Sequence, residues 1–227
     1  DIDGAVDMAS TLTVTGDATF SGDSNTFTSA NANDPILIIK NTTNDTNGAR
    51  LQFIKDKGAA GADGDDIGVI VFKADNAAQE QTFFAQILAE VSESADTDEA
   101  GRLSFFVAES NGTASQLTAG LVIEGEHATD GEVDVTIAAG AASTTTVAGD
   151  LVITTQVTAT GGSVSAPTYS FIGDTDTGIS RPTADAVNIV AGGTERLRAD
   201  SGGVDVIGSL DVSVNAVIDG TLGIVGQ

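Results

Sequence analysis

The chain has 227 residues and carries nine Lys plus Arg against 33 Asp plus Glu, a formal net charge of −24. A surface of that sign repels phosphate backbones and anionic headgroups, which excludes nucleic-acid binding and docking on an anionic membrane. Cysteine is absent, so neither a disulfide framework nor a thiolate metal site can form.

Aromatics make up only 4% of residues, with no Trp and one Tyr, which is thin for a compact enzyme and suits narrow β-cores. The self-repulsion is tolerable where salt shortens the Debye length to roughly 3–8 Å, as in a saline setting. No run of about 20 apolar residues and no secretory signal pattern occurs. The opening at Asp1 rather than Met fits a piece of a larger protein.

Residues 1–34 alternate in very short units: Leu12 and Val14, a Gly16-Asp17 turn, Ala18 and Phe20, then Gly22-Asp23. Strands of three or four residues cannot bury a core alone, so they must stack or wind around neighbours. Pro35 then opens a predicted strand over 36–39. Five apolar runs follow, at 51–55, 67–73, 82–91, 103–108 and 117–123, separated by Gly, Asp, Ala and Asn clusters. These read as antiparallel strands joined by turns.

Six of the nine Phe lie between Phe53 and Phe106, so the largest hydrophobic payload is here. In 82–91 one face shows Phe83, Ala85, Ile87, Ala89 and Val91, and the other shows Phe84, Gln86, Leu88 and Glu90. In 67–73, Ile67, Val69 and Val71 oppose Ile70 and Phe72. Both strands are apolar on both faces over part of their length, unlike a sheet with one solvated face. Either a second sheet of the same chain or an identical sheet of another copy must cover the second face.

Two acidic stretches, Gly61-Ala62-Asp63-Gly64-Asp65-Asp66 and Gly173-Asp174-Thr175-Asp176-Thr177-Gly178, resemble calcium loops at a glance. Neither has the Glu that an EF-hand needs at position 12 of its loop: counted from Asp63 and Asp174, Ala74 and Asp185 stand there. They read as turns with solvated carboxylates. His127 is the sole histidine, placed in a loop with no second imidazole for a metal or catalytic pair.

The unit Gly-x-apolar-x-apolar recurs at 133–153 and 204–225 as a degenerate repeat, and Leu222-Gly223-Ile224-Val225-Gly226 reads as the same shaft continuing. Gly192-Gly193-Thr194-Glu195-Arg196-Leu197-Arg198 is not a phosphate loop, lacking GKS or GKT and a following helix. Its arginines are expected to pair with carboxylates of neighbouring strands or chains. With 33 acids, chance carboxylate pairs abound, but the Trp and Tyr platforms of sugar clefts are missing, so no catalytic residue, metal site or cofactor is assigned.

Residues 167–200, PTYSFIGDTDTGISRPTADAVNIVAGGTERLRAD, resemble a segment of tail-fibre proteins of tailed bacteriophages, notably marine ones. The match runs through Pro167, Tyr169, Ser170, Phe171, Gly173, Asp174, Asp176, Thr177, Gly178, Arg181 and Pro182, then Gly192, Gly193, Glu195, Arg196, Leu197 and Arg198. Residues 34–125 are similar to a fibre module, with Asp65-Asp66-Ile67-Gly68 and Gly101-Arg102-Leu103-Ser104-Phe105 among the matching pieces, and the Leu12–Phe20 unit is similar to shaft repeats.

The resemblance implies an all-β, elongated, intertwined homotrimer in the virion, with short-strand shaft repeats of β-helix or β-prism type flanking an antiparallel sheet module. It divides the chain into shaft repeats at 1–34, a sheet module at 35–126, shaft at 127–163, a second β module at 164–203 and shaft at 204–227. It implies a non-enzymatic structural segment that holds or extends a host-recognition tip. The implied partners are other copies of the chain, other virion tail or fibre proteins, and a host surface glycan or protein receptor, with no nucleic acid and no membrane insertion. Asp174, Asp176, Arg181, Arg196, Arg198, Phe72, Phe83, Ile87 and Phe105 become candidate structural or interface residues. An acidic cell-surface filament or adhesin of a bacterium or archaeon fits the same composition, and a glycan-depolymerase tailspike fragment ranks behind both.

Overall fold

The computed structural model describes residues 12–127, 131–217, 219–220 and 223. The N-terminal eleven residues and most of the 222–226 tail read as shaft lie outside the described residues. Two compact units are present, one ending at Thr146 and one beginning at Val147. Among the described residues both are all-β and contain no helix, hence none able to cross a membrane.

The first unit holds a five-stranded antiparallel meander: β1 (Asp66–Asp75), β2 (Gln81–Glu93), β3 (Ala100–Ser110), β4 (Ser115–Gly125) and β5 (Val133–Ile137), in sequence order. Four of the strands coincide with the apolar runs at 67–73, 82–91, 103–108 and 117–123. Their hairpins are set by side chains that mimic backbone turns. Asn76 Oδ1 accepts from Ala78 N and Glu80 N at 2.9 and 3.0 Å, and Asn111 Oδ1 accepts from Thr113 N and Ala114 N at 2.9 and 3.1 Å.

The apolar runs at 36–39 and 51–55 are not strands. They have no ladder partner, and Phe53 instead seats on Gly68 of β1, where a Cβ would come within 2.6 Å of its own. Val133–Ile137, expected in the shaft, is paired to β4, so the sheet runs past residue 126.

The second unit repeats the plan with β6 (Tyr169–Phe171), β7 (Asp174–Ser180), β8 (Val187–Ala191), β9 (Thr194–Asp200) and β10 (Gly203–Val206). Here β10 draws residues 203–206 of the expected C-terminal shaft into the sheet. The short strands expected in 12–22 are not formed, and in 138–168 the one ladder feature is the bridge Ser163↔Ala166.

Buried apolar residues are scarce. Among the described residues Ala186 and Val190 alone form the apolar core.

Candidate functional site

The register of each sheet produces a pattern invisible in any single strand. In the first, Ile70 pairs with Ile87, Ile87 with Phe105, Phe105 with Leu121, and Leu121 with Ile137. One apolar row therefore crosses all five strands. A second row beside it, Gly68–Ala89–Leu103–Ile123–Val135, is also uncharged. A third, Phe72–Ala85–Val107–Thr118, lies on the other side. Ile70, Phe72, Val107, Val135 and Ile137 are exposed, while Ile87 and Phe105 are half-buried. Of the predicted interface residues, Phe72, Ile87 and Phe105 thus share one face. Phe83 departs from it: a register shift beside Phe84 sets Phe83 opposite Lys73, whose Nζ lies 4.1 Å from the ring centre, a cation–π contact.

The opposite face carries Val69, Leu88 and Val122, and then a charged row. Arg102 stands between Glu90 and Glu124, donating to Glu90 Oε2 at 3.0 and 3.2 Å and lying 3.9 Å from Glu124. Sequence reasoning did not single out Arg102. Its carboxylate partners become neighbours only through the β2–β3–β4 register.

The second sheet is inverted relative to an ordinary solvated sheet. Its buried side chains are Ser180 and Asn188 together with Val190, and its open face is apolar. Tyr169 pairs with Ile179, Ile179 with Ile189, Ile189 with Leu197, and Leu197 with Val206, again one row across five strands. Tyr169, Ile179, Ile189 and Val206 are 41–50% exposed, an area that in a lone molecule would face water. On the other face Ser180 Oγ donates to Asn188 Oδ1, and Asn188 Nδ2 donates to Glu195 Oε2 at 2.6 Å.

The two halves of the sequence motif meet here. Gly192 and Gly193 form the two-residue β8–β9 turn with φ of 56° and 68°, a left-handed pair that favours glycine. Gly193 N donates to the Asp176 carbonyl at 2.9 Å, and Gly192 N to Thr177 Oγ1 at 3.1 Å. Residues 174–178 belong to strand β7 rather than a loop, with Ile172 and Gly173 in the turn before them. Asp174 is exposed and Asp176 half-buried.

The arginines divide. Arg198 Nε donates to Asp200 Oδ2 at 2.8 Å, on its own strand and not across to a neighbour. Arg196 is exposed, falls at the β9 register shift, and makes no ion pair among the described residues. Arg181 is exposed and anchors the preceding segment through its backbone, its N donating to the Gly161 carbonyl at 2.6 Å.

The other acidic stretch is also structural. Asp65 Oδ2 accepts from Lys57 Nζ at 2.6 Å and from Ala62 N at 2.9 Å, and these bonds hold its carboxyl below the ordinary carboxylate pKa. Asp63 Oδ1 accepts from Ser94 N and Oγ at 2.9 and 2.7 Å, tying the loop to the end of β2. His127 Nδ1 lies 3.3 Å from Asp98 Oδ2, and this contact raises its pKa. Among the described residues no group of three or more His, Asp or Glu converges as metal ligands. Concave surfaces are shallow. One of them, about 800 Å³, is lined by Val107, Gly120, Ile137, Ala139 and Thr144.

No protein-family model matches the chain, and no curated protein matches it.

Proposed function

We propose that the chain is a structural segment of a virion fibre, working as an elongated homotrimer in the tail of a tailed bacteriophage and holding or extending a host-recognition tip. The observation that carries this reading is the pair of five-residue apolar rows, each on an open sheet face, in a chain with two buried apolar side chains among its described residues. Oligomerisation is the common route by which sheets this thin acquire a core. The resemblance of residues 167–200 to tail-fibre segments supports the fibre assignment; its two halves meet where Gly193 N and Gly192 N bond to the Asp176 carbonyl and Thr177 Oγ1. The alternative of a cell-surface filament shares the same assembly logic.

Purified protein should form unbranched rods by negative-stain electron microscopy. It should release no sugar from bacterial capsule or lipopolysaccharide. Turnover of either polysaccharide, or compact particles of single-chain size, would overturn the reading.

A further inference from the structure

We propose that the Ile70–Ile87–Phe105–Leu121–Ile137 row runs along the axis on which copies of this chain meet, so that each residue of the row touches its own equivalent in the other copies. The Tyr169–Ile179–Ile189–Leu197–Val206 row does the same within its own sheet. This rests on the reading of the chain as a homotrimer and adds which face turns inward and in what register.

Geometry comes first. Neighbouring strands lie about 4.8 Å apart, so a row of cross-strand partners climbs perpendicular to the strands and spans roughly 19 Å over five of them. Rotation about an axis parallel to such a row brings every residue to the height of its own copies. Layers of identical residues result, and the register is matched without any further device. The residues suit this, being aliphatic or aromatic with open surface: Ile70 is 39% and Ile137 58% exposed in the first sheet, Ile179 45% and Ile189 48% in the second.

Charge decides the face. At −24 per chain, a contact between identical surfaces must be free of charge, because equivalent positions repel. The central row and the two flanking it hold no ionisable side chain, and only at the Gly68 end is that face capped by the same chain, through Phe53. The opposite face would bring Glu90, Arg102 and Glu124 against their own copies, like charge on like. That face therefore points away from the axis.

Extent points to a copy of the chain rather than a small ligand: the exposed apolar side chains Ile70, Phe72, Val107, Val135 and Ile137 are spread over a face five strands wide.

The absence of cysteine makes a clean test possible. Ile87→Cys, Leu121→Cys and Ile189→Cys are each introduced into the full chain and treated with a short homobifunctional maleimide, with Leu88→Cys as the opposite-face control. Light scattering on each variant establishes its assembly state. Trimeric Ile87→Cys, Leu121→Cys and Ile189→Cys proteins should give covalent dimers with residual uncoupled chain on denaturing gels, and Leu88→Cys should give none. Trimers that couple through Leu88→Cys and not through Ile87→Cys or Leu121→Cys would overturn the inward face while leaving the fibre reading intact. Monomeric parent protein would overturn both. Should one substitution prevent folding, the remaining row position and the independent second sheet still decide.

Discussion

Asn188 has no exposed surface, and its side-chain amide donates to Glu195 Oε2 at 2.6 Å across the β8–β9 pair. Its other polar atom accepts from Ser180 on β7, so one side chain stitches three strands on the covered face of the second sheet. Asn188→Ala leaves the Ser180 hydroxyl and a carboxylate short of partners. Leaving such groups unsatisfied costs about 1–3 kcal/mol, more where a charge is involved. Asn188→Asp should cost more still, because it sets a second carboxylate against Glu195. Thermal unfolding should follow the order parent, then Ala, then Asp. An Asp variant as stable as the parent would mean that the amide is not the joint.

Gly178 occupies the place where β7 crosses closest to β6, and a Cβ there would run into the Tyr169 carbonyl oxygen. The obstacle is backbone, so no rotamer change relieves it. Gly178→Ala should detach β6 and cost about 1–3 kcal/mol or more, the usual penalty of overpacking. Hydrogen exchange at 169–171 should accelerate while 194–200 stays protected. Unchanged protection at 169–171 would contradict the close approach.

These two residues also mark what a sequence discloses. Gly178 stands out within its motif, but the reason for it, a carbonyl nine residues earlier, emerges only when the hairpin closes. Asn188 gives no local signal, since Val187-Asn188-Ile189 reads as a strand with a polar residue turned to solvent. Strands β1 to β4 of the first sheet were legible because long apolar runs stood between Gly and Asp turns. The runs at 36–39 and 51–55 look the same in sequence, and lack of a ladder partner is what separates them. Val133–Ile137 resembles the low-complexity repeats on either side, so its pairing with β4 was not readable. Phe83 was placed by strict alternation, which the register shift beside Phe84 breaks.

Stability should respond to pH in two windows. Asp65 is held below its ordinary pKa of 3.8, first by the Lys57 hydrogen bond and then by Ala62 N. Asp200 is held below the same value, first by Gly202 N and then by Arg198. A depressed carboxylate contributes stability above its unfolded pKa and loses it as pH falls through the folded one. His127 has the opposite sign: its pKa is raised above 6.5 by the Asp98 hydrogen bond, so its contribution is complete below 6.5 and fades as pH rises through the folded value. Melting temperature should fall in acid, with Asp65→Asn flattening that fall. It should also fall slightly as pH rises above 6.5, with His127→Gln removing that step. Profiles of the variants identical to the parent would contradict the assigned bonds.

The central claim is that the open apolar faces belong to an assembly of three chains. Light scattering in near-physiological salt should report 68.1 kDa, three times 22.7 kDa. At low salt, where −24 per chain is least screened, the trimer should weaken. A stable monomer that keeps its β-type circular dichroism would contradict the account, because Ile70, Phe72, Ile179 and Ile189 would then be facing water.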